Sequence, residues 1–317
     1  TLENKGNAIG TSLHRRQAVV RAVARRAETL PDGARTLVLG LDRTSSPMEE
    51  DLPPGTPRRP RKKPRIRKAP PPVEVNYRMA FVGTIAIADA GGDIVLTHKY
   101  GATAADGPSE ILHAMMQDLR NAFRQDSSLR VVVVQDAAKE MWTLLVAALK
   151  AEPSVTAWEE LVDHYHAMGH LWAAAQAMEG DATAIMARWK KALRHEDDAI
   201  DAIAKELERE VARGYLPTYR IAMETELTFI TNNGARMRYA SLRDAGFPIG
   251  SGATEGACKS FFSVRCKRSG QRWRNDGLRA TLTCRSLVLN GRLDRAMVTL
   301  RRRDFSAYVQ AVPRMAA

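Results

Sequence analysis

The chain is poor in cysteine, with only Cys258, Cys266 and Cys284 among its 317 residues. Three thiols do not build a disulfide framework, and their spacings are not those of a zinc ribbon. They suit a reducing compartment. No apolar run approaches the roughly 20 residues of a membrane-spanning helix, and no signal peptide opens the chain. A cytoplasmic protein with no membrane partner is expected, with no nucleotide cofactor. There is no internal repeat and no convincing Ser–His–Asp set. The chain opens at Thr1, within a polar helical pattern, which predicts further sequence before it.

Acid is scarce in two stretches. Residues 58–68 hold eight bases and no acid, and residues 236–303 hold sixteen bases against four acids. Those stretches exceed the net charge of the whole chain, +12, so the remainder is net acidic. Charge gathered in this way is the footprint of an anionic partner, nucleic acid first.

Residues 12–30 repeat apolar side chains at helical spacing among arginines and predict a basic amphipathic helix. Residues 34–42 read as a short buried strand ending in Asp42. Residues 46–72 are rich in proline and charge and predict a flexible basic arm. Residues 76–101 read as a β-hairpin, 107–125 as a helix capped by Ser109, and 129–136 as a buried strand ending in Asp136. Four consecutive valines suit a strand covered on both faces. From residue 137 to about 230 the pattern is nearly all helical, with no strand-length β-branched run. The expected fold class is therefore α/β: a mixed sheet flanked by helices, interrupted by a large all-helical insertion between the second aspartate and a later glutamate. The divisions are 1–33, a basic helical segment ending a longer N-terminal region; 34–150, the first part of the core; 151–240, the insertion; 241–303, completion of the core; and 304–317, a tail.

An acid at the end of a buried strand is costly unless it is paired, bonded or metal-bound. Asp42 and Asp136 on adjacent strands would repel, and a hard divalent cation relieves that repulsion. Either aspartate alone is also accounted for as a helix cap. Glu255 follows the turn "IGSG", where Gly250 and Gly252 tolerate positive φ and Ser251 is a candidate N-cap. It lies in a first helical turn, where the dipole favours an anion. A surface pair with Lys259 one turn on explains it equally well. Lys259, Arg265, Lys267, Arg268, Arg272 and Arg274 are candidate phosphate contacts, as are Arg58, Arg59, Arg61, Lys62 and Lys63 in the arm. Trp273 reads either as a base-stacking platform or as an ordinary edge tryptophan. Asp163, His166 and His170 fall on one helix face at a possible zinc spacing, although no further ligand cluster accompanies them.

The block "NNGARMRYASLRDAGFPIGSGATEGACKS", with "VRCKRSGQRWR" behind it, resembles the C-terminal catalytic block of the ISKra4 family of bacterial insertion-sequence transposases. "GLDRTSSPMEE" is similar to that family's first acidic motif, and "VVVQDAAKEMW" to the segment around its second acid. "KAPPPVEVNYRMAFVGT" and "LVDHYHAMGHL" resemble its hairpin and the start of its insertion. The resemblance runs in order from about residue 36 to 303. It implies a DDE enzyme with a ribonuclease-H-like core, two Mg²⁺ or Mn²⁺ ions, and Asp42, Asp136 and Glu255 as the catalytic and metal-binding triad. It further implies cleavage and joining of double-stranded DNA at element ends and target, a homo-oligomer on DNA, and association with the nucleoid. Asp163 and His166 match an Asp-x-x-His signature, which implies a polar contact near the active site; Gly250, Ser251 and Gly252 are expected to support the site through their turn. One departure is the Ala137–Ala138 pair, where the family more often has Gly-Ala after its second acid. A helical conformation is expected there. The competing readings are a ribonuclease-H-type nuclease that cuts without joining, and an inactive DNA-binding remnant.

Overall fold

A computed structural model describes residues 2–52 and 73–311, with side chains at 7–52 and 73–302. The proposed phosphate contacts Arg58, Arg59, Arg61, Lys62 and Lys63 lie outside the described residues. In chain order the elements are α1 (Leu2–Arg15), α2 (Gln17–Arg26), β1 (Thr36–Asp51), β2 (Val73–Ala88), β3 (Ile94–Ala102), α3 (Ser109–Gln125), β4 (Arg130–Gln135), α4 (Lys139–Lys150) and β5 (Glu159–Val162). Next come α5 (His164–Ala177), α6 (Ala182–His195), α7 (Ala199–Val211), α8 (Pro217–Asn233) and α9 (Tyr239–Asp244). After them α10 (Gly252–Ala257), a π-turn (Cys258–Ser263) and α11 (Val264–Cys266) form one helical run. Finally α12 (Asn275–Leu289) and α13 (Leu293–Ala311) close the chain.

The sheet has five strands in the order β3-β2-β1-β4-β5. β1, β2 and β3 form an antiparallel meander, while β4 and β5 run parallel to β1. This is a ribonuclease-H-like mixed sheet flanked by helices. The centre is apolar on both faces: Leu37, Leu39, Val132 and Val133 are fully buried, as expected of parallel strands covered by helices on either side.

Several expectations need correction. β5 falls inside the segment expected to be nearly all helical and without a strand, so the helical insertion begins only at α5. β1 does not stop at Asp42: it continues to Asp51, paired with β2 along its whole length, so the strand takes in residues expected to belong to the arm. Pro47 is tolerated there because its carbonyl faces Trp273, whose N–H it accepts at 2.9 Å. The β2 side therefore loses no donor. Ser109 is the first helical residue of α3 rather than its cap, which is Pro108. The N-terminal helix is two helices, broken at Arg16. Leu13 and Val20 are buried against Leu287, Ala296 and Leu300, so α1 and α2 pack on the last two helices. The C-terminal tail expected from residue 304 is helical as far as Ala311.

A buried ionic network ties this packing to the sheet. Asp118 of α3 accepts hydrogen bonds from Arg25, from the Tyr100 hydroxyl and, at 2.7 Å, from Arg292 Nη1. Arg292 also holds Glu28 through two bonds of 2.6 and 2.7 Å. Burial opposes ionisation of Asp118, but the charges of Arg292 and Arg25 outweigh it and hold the carboxyl below its ordinary value. Asp118→Ala takes from the buried Arg25 guanidinium its carboxylate and leaves Arg292 with Glu28 alone, and should cost about 3–5 kcal/mol in urea unfolding. Because the folded value is depressed below the unfolded one of about 3.9, the contribution of Asp118 is complete at neutral pH. It is lost as pH falls through the folded value, so wild type and Asp118→Asn should converge in stability below about pH 4.

Candidate active site

Strand register sets the site. β1 and β4 pair with a constant offset, Thr36 opposite Arg130 through Leu39 opposite Val133. Carried three residues further, that offset brings Asp42 level with Asp136. β4 and β5 pair from Val132 opposite Glu159 to Gln135 opposite Val162, so the next position brings Asp136 level with Asp163. The sequence alone suggested two acids on adjacent strands; the sheet places three in one row.

Asp42, Asp136, Asp163, His166, Ser251, Thr254 and Glu255 line one small cavity of about 120 Å³, together with Gln135. The candidate triad is thus brought together, across more than two hundred residues of chain. Each acid has its own support. Asp42 Oδ1 accepts the Arg43 N–H at 2.6 Å, and Asp42 Oδ2 accepts the Cys258 thiol at 3.1 Å. Burial pushes the Cys258 thiol far up, and the carboxylate of Asp42 adds to that, so it stays protonated as a donor. Asp136 Oδ1 accepts the Ala138 N–H at 3.1 Å, while Trp142 Nε1 donates to the Asp136 carbonyl at 2.8 Å. Asp136 therefore shapes the turn into α4, and Ala138 is extended rather than helical.

Glu255 lies in the first turn of α10, as expected. Its side chain is 58% exposed, at the rim, with Lys259 Nζ 3.9 Å away. The surface pair therefore exists alongside the cavity position. Thr254, its neighbour, sets the height of α10 above the sheet: Thr254 Oγ1 and Thr84 Oγ1 are 2.7 Å apart. Gly40 permits that approach, because a Cβ there would lie 2.0 Å from Thr254 Oγ1.

Asp163 holds the other end of the same turn. It is 2% exposed. Its Oδ1 accepts the His166 N–H at 2.6 Å, capping α5, and its Oδ2 accepts the Ser251 N–H. The His164 N–H adds a bond to the Ile249 carbonyl at 3.0 Å. Ser251 occupies the N-cap position of α10, but its backbone carbonyl rather than its hydroxyl serves the helix. Neither Gly250 nor Gly252 has positive φ. A Cβ at Gly250 would lie 3.2 Å from the ring of the exposed Tyr165. His166 and His170 do share a face, their Nε2 atoms 3.3 Å apart, while His170 Nδ1 pairs with Glu226 at 2.6 Å and its ring stacks on Phe229. Among the described residues, no three His, Cys, Asp or Glu side chains form a ready cage for an ion.

The basic residues divide. Lys259 is 80% exposed beside Glu255. Lys267 and Arg268 flank the end of α11, and Arg268 Nε donates to the Val264 carbonyl at 2.8 Å. Arg265, Arg272 and Arg274 open onto a cleft of about 1020 Å³, joined by Arg285, which the sequence reading missed. Arg274 is partly neutralised there by Asp51 at 2.9 Å. Trp273 lines the same cleft and is half-buried at its edge. Its indole N–H donates to the Cys266 carbonyl at 3.0 Å, its ring packs on a cluster that includes Met48 and Phe262, and its backbone bridges to β1.

Gly40→Ala should force α10 off the sheet and cost about 1–3 kcal/mol by thermal or urea unfolding. Removing the opposing hydroxyl with Thr254→Ala in the same chain should recover part of that loss.

No protein-family model matches the chain, and no curated protein matches it as a relative. Among solved structures, the Drosophila P element transposase strand transfer complex is similar over 88% of this chain and 82% of its own, at 10% identity and a TM-score of 0.41. The Mos1 transposase paired-end complex with the left transposon end is similar over 72% of this chain and 62% of its own, at 13% identity and a TM-score of 0.22. The Mos1 mariner paired-end complex with Mn gives 71%, 62%, 14% and 0.21 for the same measures.

Proposed function

We propose that the chain is a DDE-type transposase of the ISKra4 kind, cutting and joining double-stranded DNA with Asp42, Asp136 and Glu255. The observation that carries the reading is the convergence of these three acids on one cavity of a ribonuclease-H-like sheet. The motif resemblance and the concentration of positive charge around Glu255 support it.

The donor set suits a hard divalent cation. Asp42, Asp136 and Glu255 offer carboxylate oxygens, and the buried Oε1 of Gln135, a residue that also lines the cavity, has no hydrogen-bond partner among the described residues. Oxygen ligands of this kind select Mg²⁺ or Mn²⁺. Asp42 and Asp136 would hold two such ions, and Glu255 would complete one of them. When bound, the pair would activate a water or 3′-hydroxyl and stabilise the leaving oxygen. The rest falls to the chain's own groups. The Arg43 N–H and the Cys258 thiol fix the Asp42 carboxylate. Trp142 fixes the backbone of Asp136. Asp163 fixes the turn that launches Glu255. Lys259, Arg265, Lys267, Arg268 and Arg272 would hold the phosphate backbone beside them, and a homo-oligomer would pair two element ends.

Asp42→Asn, Asp136→Asn and Glu255→Gln should each abolish cleavage of element-end DNA in Mn²⁺ and leave DNA binding nearly unchanged. Normal cutting by any one of them would overturn the triad. Strand-transfer products in the wild-type reaction separate a transposase from a nuclease that hydrolyses without joining. Neutralising the bases of residues 58–68 should weaken binding about equally for all sequences and flatten its salt dependence. A loss confined to cognate ends would instead assign the arm to sequence readout.

A further inference from the structure

The helix that carries Glu255 is irregular. α10, the π-turn and α11 run without a break from Gly252 to Cys266, and the π-turn begins three residues after Glu255. A π-turn replaces i→i+4 bonding with i→i+5; such turns are rare and frequently lie at functional sites. Side chains take up carbonyls along this run. Ser260 Oγ donates to the Gly256 carbonyl at 2.6 Å, and Ser263 Oγ to the Cys258 carbonyl at 2.9 Å. Arg285, on α12, donates Nε to the Phe261 carbonyl at 2.6 Å and Nη2 to the Ser260 carbonyl at 2.7 Å.

The extra residue sets the register of the helix on both sides. Toward the C-terminus Phe261, Phe262 and Cys266 are fully buried. Toward the N-terminus Thr254 bonds Thr84, and Cys258 reaches Asp42. Each residue of an α-helix turns about 100°. With the phenylalanines anchored, collapse of the π-turn to an α-turn would rotate residues 252–258 by about that angle and carry Glu255 away from the cavity. Ser260 and Ser263 are local to the helix and follow any rearrangement of it. Arg285 is fixed in a different helix and grips the turn from outside.

We infer that Arg285 is a positioning residue: its guanidinium fork holds the π-turn open and so keeps Glu255 and Cys258 facing Asp42. This rests on the reading of Glu255 as the third acid. Cys258 supplies a readout that needs neither metal nor DNA. In the full chain carrying Cys284→Ser, Cys258 is half-buried and the other remaining thiol, Cys266, is fully buried. Arg285→Lys keeps the charge but loses the fork, whereas Arg285→Gln loses both. In both variants N-ethylmaleimide should alkylate Cys258 about tenfold faster than in the parent. Cleavage of element-end DNA in Mn²⁺ should fall about 10²-fold, while half-saturation by DNA stays within about twofold for Arg285→Lys. If Arg285→Lys is alkylated and cuts like the parent, Arg285 acts only as a charge on the DNA and the inference fails. If the parent cuts no DNA, the proposed function falls, and the alkylation rates alone decide whether Arg285 holds the turn. Should Arg285→Gln not fold, Arg285→Lys carries the test.

Discussion

The site depends on one constraint, the common register of three parallel strands. β1, β4 and β5 are aligned so that Asp42, Asp136 and Asp163 fall on one row. Below that row the central strands are covered on both faces by apolar side chains, so an ionised group has no place there. At the row itself the covering layers part and polar groups can be served. The acids therefore collect where the packing first permits them. Everything else around the cavity adjusts to that row: Gly40 lets α10 come down onto the sheet, Thr254 fixes its height, and Cys258 and Trp142 each hold one of the two neighbouring aspartates.

Much of this was legible in the residues. The valine run of β4 and the hairpin of β2 and β3 announced themselves by period and turn chemistry. Glu255 could be placed in a first helical turn from the glycines and serine before it. The missing strand, β5, is only the four residues "EELV", too short for alternation to separate it from a helix. The far half of β1 was hidden by Pro47 and by charge. Both are unfavourable in a central strand but acceptable here, where β1 has passed beyond its β4 neighbour. The glycines of "IGSG" suggested left-handed backbone, whereas neither adopts positive φ. Contacts made at long range, such as Cys258 with Asp42 or Arg285 with the π-turn, leave no local trace in sequence.

The N-terminal helices are part of the same structure. Arg25 and Glu28 come from α2 and its end, Asp118 from α3, Tyr100 from β3, and Arg292 from the turn before α13. A carboxylate buried this deeply is stable only with its cations in place. Loss of α2 would therefore take Arg25 from Asp118 and leave Arg292 to neutralise it, however well the site itself is built. The basic character of α2 is accordingly divided between surface charge and the neutralisation of this buried acid.

Asp163 has a consequence beyond capping. One carboxylate accepts the backbone N–H of a helix in the insertion and the N–H of the turn that begins the Glu255 helix. The two segments thus share a single rigid ligand, and neither can shift without altering the bonds of the other. Thermodynamic reciprocity then applies. An effector that pulls on α5 must change the free energy of seating Glu255. Equally, whatever draws Glu255 into the cavity must tighten the insertion. The insertion is in this sense a lever on the seating of Glu255, and Asp163 is its fulcrum.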